Sequence, residues 1–178
     1  MQILIWTGQK HSGKSTAAGE LVAHLQDAGV TCGGLLAPSL YENGELCGFD
    51  ALDVASGVRE KLLHRVKTGQ EAHVGNFAFC DLGVRVAKEA LVRPLDGGID
   101  FVLVDEFGTL ELAGKGWRSQ IDQLIRLDAV LMLVVREELT TQVAKIYSCR
   151  AGDVLLASDP NSIEKIVDAC KNMQRRKV

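Results

Sequence analysis

Apolar residues fall along this chain in two rhythms, one of strands and one of helices. Ile3-Leu4-Ile5-Trp6 is a short continuous apolar run, as in a buried strand; Ala18, Leu21, Val22 and Leu25 then recur at helical spacing until Gly29 ends the helix. Thr31 to Ala37 predicts a second strand. From Leu40 to Phe79, turn signals such as Glu42-Asn43-Gly44 and Ala55-Ser56-Gly57 predict two or three short antiparallel strands. A helix from about Leu82 to Val92 leads into Phe101-Val102-Leu103-Val104, the most apolar strand, which ends at Asp105-Glu106. Trp117, Ile121, Leu124 and Ile125 share one face of a further helix, and Ala129 to Val135 is apolar throughout, as a strand covered on both faces requires. Val154-Leu155-Leu156 predicts a last strand, followed by a helix that buries Ile163, Ile166, Val167, Cys170 and Met173. Asp159 is placed to cap that helix, with Pro160 at its first position.

Strand alternating with helix in this way predicts an α/β fold: a mostly parallel sheet flanked by helices, with a β-hairpin insertion after the second strand. Residues 1–178 read as one domain, without repeats, low-complexity segments or a linker. Composition narrows the class further. The chain is 47% hydrophobic and 24% charged, with 20 basic and 23 acidic side chains, which excludes intrinsic disorder and a disulfide scaffold. The slight acidity argues against a protein that coats nucleic acid. No run is apolar and long enough to span a membrane, and the start lacks the basic region of a signal peptide. The five cysteines are odd in number and widely spaced, with no CxxC, and read as free thiols of a cytoplasmic protein. His11, His24, His64 and His73 are scattered, and His24, His64 and His73 read as surface or core residues.

Glycine is the unusual count, at 18. Its most informative placement is Gly8-Gln9-Lys10-His11-Ser12-Gly13-Lys14-Ser15, which matches GxxxxGK[ST] between the first strand and the first helix. Such a loop curls its backbone amides around phosphate oxygens, and glycine at both ends leaves room for that approach. The following helix adds the positive end of its dipole. Lys14 is expected to reach the β- and γ-phosphates, and the Ser15 hydroxyl to bind Mg²⁺. Thr16 contacts a phosphate or caps the helix, whereas Lys10 and His11 occupy free positions of the loop.

Cleaving a γ-phosphoryl group needs a carboxylate at a second strand end. Asp105 supplies it and is the expected second metal ligand. Glu106 is the first candidate for the base that activates water, and Glu111 is its rival, since the Gly108-Thr109 turn can bring it back to the site. Arg136, at the end of another apolar strand, is the candidate for offsetting charge in the transition state; the plainer alternative is a solvated arginine paired with Glu137 or Glu138. Arg118 and Arg150 are weaker candidates, and Gln174-Arg175-Arg176-Lys177 reads as a solvated end.

These residues resemble the small nucleoside-triphosphatase family known from thermophiles and, in animals, as the cancer-related nucleoside triphosphatase. The resemblance covers nearly the whole chain. It rests on the phosphate loop, on Gly33-Gly34-Leu35-Leu36-Ala37-Pro38, on Gly48-Phe49-Asp50 with Leu52-Asp53 and Ser56-Gly57, on Val74-Gly75-Asn76-Phe77, and above all on Asp105-Glu106-Phe107-Gly108-Thr109-Leu110-Glu111-Leu112. Gly114-Lys115-Gly116-Trp117 and Val134-Val135-Arg136 look like its bacterial branch. The chain departs from the family at Leu46-Cys47, where an arginine is common, and at Ser158-Asp159-Pro160-Asn161, where an Asn-Arg pair is common and where such folds recognise the base.

The resemblance implies a phosphate-loop fold of the additional-strand, catalytic-glutamate type and slow Mg²⁺-dependent hydrolysis of several nucleoside triphosphates, ATP and GTP among them, to diphosphate and phosphate. The expected protein is thus a cytoplasmic monomer that acts on nucleoside triphosphates with low base selectivity and engages neither nucleic acid nor membrane. Two alternatives share the fold. One is a small-molecule or nucleotide kinase, which is disfavoured because Glu137 to Arg150 holds a single lysine and a single arginine where kinases carry a cationic lid. The other is a nucleotide-dependent adaptor that presents the Leu40 to Phe79 insertion to a partner.

Overall fold

In a computed structural model, residues 1–9, 12–67 and 74–177 are described. Lys10, His11 and His73 lie outside them. The first strand, β1, is Gln2–Gly8 and leads through the loop into α1, Lys14–Asp27. The parallel part of the sheet is completed by β2 (Cys32–Leu36), β7 (Phe101–Phe107), β8 (Val130–Arg136) and β9 (Val154–Leu156). Between β2 and β7 lie β3 (Ser39–Glu42), β4 (Glu45–Asp53), β5 (Arg59–Arg65), β6 (Phe77–Phe79) and the helix α2 (Asp81–Val92). The short helices α3 (Thr109–Leu112), α4 (Arg118–Leu124) and α5 (Thr140–Ile146) flank β8 in sequence, and α6 is Asn161–Lys177.

All described strands form one sheet in the order β6-β5-β4-β2-β7-β8-β1-β9, with β3 on β4. From β2 to β9 every pairing is parallel. Strand β8 is threaded between β1 and β7, so the phosphate-loop strand and the carboxylate strand are not neighbours. The burial of β8 explains its sequence. Val130, Met132 and Val134 pack with α1 and α6 on one face, and Leu131, Leu133 and Val135 pack with α2, α4 and α5 on the other. A strand has period two, so a continuous apolar run is what burial on both faces demands. The same alternation places Leu4 and Trp6 on the first face and Ile5 on the second. At the start of α6, Asp159 Oδ1 accepts the Asn161 amide at 3.0 Å, close to the expected cap.

Three features differ from the sequence expectation. The insertion after β2 is larger than a hairpin, with four antiparallel strands among the described residues; β4 runs nine residues and pairs with β2, β3 and β5. Two buried aspartates tie it down: Asp50 to Arg59, and Asp53 to Arg93, Ser56 and the Ala55 amide. Strand β7 continues beyond Asp105-Glu106 to Phe107. Finally, the stretch after β8 forms α5, whose Val143 is fully buried in the second-face core, against which Leu139, Ala144 and Tyr147 also pack.

Candidate active site

Parallel strands bring their carboxyl ends to one edge, and the predicted residues gather there. Gly8 ends β1 and lies in register with Arg136, which ends β8. One strand further, Asp105 is level with Val134. On the far side of β7 the end of β2 delivers Ala37, whose amide donates to Asp105 Oδ2 at 3.1 Å.

The phosphate loop closes on Gly13, whose φ of 80° lies in the left-handed region that glycine tolerates. The Gly13 carbonyl accepts the Ala17 amide at 2.9 Å, so α1 starts directly from the loop and its first unpartnered amides face it. Lys14 is 7% exposed, and its Nζ donates to the loop's own carbonyls, Gly8 O at 3.1 Å and Gln9 O at 2.7 Å. The Ser12 amide donates to Gln9 O at 3.2 Å, while the Ser12 and Thr16 side chains are exposed.

Asp105 is 2% exposed. Burial pushes its carboxyl up to about 7, against the opposing hydrogen bonds from the Ser15 hydroxyl and the Ala37 amide and the charge of Lys14. Glu106 is the extra residue where β7 slips against β8, with Asp105 opposite Val134 but Phe107 opposite Val135. A bulge re-aims a side chain, and here the Glu106 carboxylate pairs with Arg136, Oε1 to Nε at 2.7 Å. Burial raises the Glu106 pKa, the positive charges of Arg136 and Lys14 lower it, and the negative charge of Glu111 adds to the rise. Among the described residues, the ion pair of Arg136 is thus with Glu106 rather than with Glu137 or Glu138. The Arg136 carbonyl accepts the Thr140 hydroxyl at 3.2 Å, which leaves Thr7 as donor in the 2.9 Å contact between the Thr7 and Thr140 hydroxyls. That chain of hydroxyls ties the end of β1 to the start of α5.

Glu111 has different surroundings. It is 5% exposed, and both carboxylate oxygens accept backbone amides: Oε2 from Gly108 at 2.9 Å and Oε1 from Trp117 at 3.0 Å. It thus closes the loop from Gly108 to Trp117 around itself. Gly116, at φ 56°, passes so close that a β-carbon there would lie 2.1 Å from Oε1. Next to this loop, Arg118 Nε donates to both oxygens of Asp122, stacks on the Tyr147 ring and shares Asp122 with the Tyr147 hydroxyl. The Tyr147 ring meets Phe107 edge-on, 5.8 Å between centroids. Arg118 is thereby engaged beside the site, and Arg150, 90% exposed, pairs with Asp153.

Sequence patterning does not reveal the Thr7–Thr140 contact, α5 or the amide-binding role of Glu111. Signals for the last two exist: Leu139, Val143 and Tyr147 recur at helical spacing, and a glutamate three residues after Gly108 is half of a capping box.

A phosphate loop between a strand and a helix, a buried aspartate at the end of another strand and a further strand between the two define a nucleotide-binding phosphate-loop protein of the α/β class. The chain belongs to the family described as NTPase, whose model matches residues 3–169. It is a nucleoside-triphosphatase. Among its relatives, Nucleoside-triphosphatase THEP1 of Methanothermobacter thermautotrophicus is 31% identical over 93% of this chain and 91% of its own length. The protein of the same name from Methanosarcina acetivorans is 24% identical over 97% of this chain and 96% of its own. The human cancer-related nucleoside triphosphatase has the same fold, with a TM-score of 0.66 at 19% identity over 98% of both chains. THEP1 of Aquifex aeolicus likewise superposes with a TM-score of 0.66, at 18% identity over 94% of this chain and 95% of that one. Among the described residues no helix is long and apolar enough to cross a membrane.

Proposed function

We propose that this protein is a Mg²⁺-dependent nucleoside-triphosphatase of low base selectivity, in which Glu106 is the base and Glu111 holds the loop. The observation that carries this reading is the contrast between the two glutamates: Glu111 spends both oxygens on backbone amides, whereas Glu106 stands at the sheet edge beside Arg136.

The residues present suit a hard divalent cation. Asp105 and Ser15 are oxygen donors in contact, and a buried carboxylate pushed up to about 7 is one that a cation would hold ionised. When bound, Mg²⁺ supplies positive charge to the β- and γ-phosphate oxygens.

The protein's own groups do the rest. Loop amides and the start of α1 bind the phosphates. Lys14 turns from the Gly8 and Gln9 carbonyls to the β- and γ-phosphates. Glu106 accepts a proton from water as its oxygen bonds to the γ-phosphorus, and the β–γ bridging oxygen departs with the diphosphate. Arg136, level with Gly8, offsets charge on the transferred group. The loop residues Gln9, Lys10, His11, Ser12 and Thr16 belong to the nucleotide-binding segment. We take the protein to be a cytoplasmic, monomeric, single-domain enzyme that needs neither nucleic acid nor membrane.

The test is phosphate release from a panel of nucleoside triphosphates, with and without Mg²⁺, by the wild type and by Lys14→Ala. Equal activity in both proteins sinks the site assignment. Full turnover by Glu106→Gln together with its abolition in a stably folded Glu111→Gln reverses the roles of the two glutamates.

A further inference from the structure

Among the described residues, Lys14 and Arg136 each have a partner within the chain itself. Lys14 caps the carbonyls of its own loop, and Arg136 holds Glu106 at 2.7 Å. The Glu106 carboxylate is within electrostatic reach of Lys14 as well as Arg136, so an anionic side chain stands among the cations awaiting the terminal phosphate. The Arg136–Glu106 pair is only partly sheltered, with side-chain exposures of 36% and 32%, and so can exchange partners.

We infer that Glu106 doubles as the resting partner of Arg136, and that the γ-phosphate of a nucleoside triphosphate takes the arginine from it, making this exchange a device that discriminates triphosphate from diphosphate. The inference rests on the function proposed above, because it needs the terminal phosphate to lie at the ends of β1 and β8. Its chemistry is that of competing anions. A guanidinium binds a carboxylate or a phosphate through the same fork of donors. A γ-phosphate, with more charge and more acceptor oxygens, wins Arg136, and Glu106 is then freed beside the attacked phosphorus. A diphosphate lacks the group that reaches the end of β8, so Arg136 stays with Glu106 and the product binds without its help. Before the third phosphate arrives, the base is engaged; after it arrives, the base is available.

Affinity rather than turnover tests this. A β,γ-imido analogue of ATP and, separately, ADP are titrated in Mg²⁺ buffer into the wild type, Glu106→Gln, Arg136→Gln and the double variant. Releasing Arg136 from Glu106 tightens the triphosphate analogue by about fivefold, the scale of a partly exposed ion pair. The same substitution leaves ADP within about twofold, and in the Arg136→Gln background it no longer tightens the analogue. Equal tightening in both backgrounds means that Glu106 merely repels phosphate, and it overturns the exchange. So does equal tightening of ADP and the analogue, or no tightening at all. Arg136→Met, which keeps an apolar stem, replaces Arg136→Gln if that variant does not fold. The parent reading fails separately, on retained turnover of Lys14→Ala or Glu106→Gln.

Discussion

Replacing Glu111 by alanine strips two backbone amides of their acceptor at once. The Gly108 amide is buried and the Trp117 amide partly so, and each donates to a carboxylate oxygen at 2.9–3.0 Å. A hydrogen bond to a charged group contributes about 1.5–3 kcal/mol, the upper end applying where water cannot take over. The pair together is therefore worth about 3–5 kcal/mol. For a chain of this size 1 kcal/mol moves Tm by roughly 2–4 °C, so Glu111→Ala is expected to melt about 6–20 °C below the wild type. Glu111→Gln keeps one acceptor and turns an N–H toward the other amide, so it loses roughly half as much. Turnover falls too, by about 10–100-fold, because the loop that begins beside Glu106 loses its clamp. With Glu106 as the proposed base, the pH profile of the remaining activity keeps its shape but its acid limb moves to lower pH, because the negative charge of Glu111 no longer raises the Glu106 pKa. Thermal melts of the nucleotide-free proteins, with single-turnover hydrolysis on the same samples, decide the matter. A Glu111→Gln protein that melts within 2 °C of wild type yet turns over about a thousandfold slower refutes the reasoning and makes Glu111 the base. Gly116→Ala is an independent check. Its β-carbon must push the Glu111 carboxylate aside, so its cost shrinks in a Glu111→Ala background to the strain of the left-handed backbone, about 1 kcal/mol, and the tight approach to Leu110 Cβ at 3.2 Å.

Tyr147→Phe removes the hydroxyl that donates to Asp122 at 3.1 Å and keeps the edge contact with Phe107, so a Tm loss of about 2–4 °C is expected, and none in an Asp122→Ala background. Asp105 keeps its proton up to about 7, whereas in the unfolded chain it loses it near 4; the fold therefore binds more protons across that window and loses stability as pH rises through it. Asp105→Asn should gain Tm relative to wild type from pH 4 to pH 7 in chelator-treated buffer and hold that gain above; a constant offset contradicts it. Burial pushes Cys32 and Cys170 up to about 12, so at pH 8 neither offers a thiolate; alkylation mapped by peptide mass spectrometry should label the half-buried Cys47 and Cys80 in the native protein and reach Cys32 and Cys170 only after unfolding.

What could be read from the sequence divides along a physical line. Elements and positions fixed by local pattern are legible. Continuous apolar runs mark strands buried on both faces, and a loop that must bind phosphate through its backbone has to show its glycines in order. Because parallel strands share one carboxyl edge, the sequence alone places Gly8, Asp105 and Arg136 together. The partners at that edge were another matter. Arg136 has glutamates next to it in sequence at positions 137 and 138, yet it pairs with Glu106, thirty residues away, because β8 lies beside β7 and a bulge turns Glu106 across the gap. That bulge follows from how β7 and β8 lie in register, which no window of sequence contains. Glu111 and Glu106 are alike as letters and separated by five positions. Only the fold shows that one is enclosed by amides and the other faces an arginine. Roles that depend on which donor reaches a carboxylate are set by tertiary register, and for that reason the choice between the two glutamates, open in the sequence, turns on their hydrogen-bond partners.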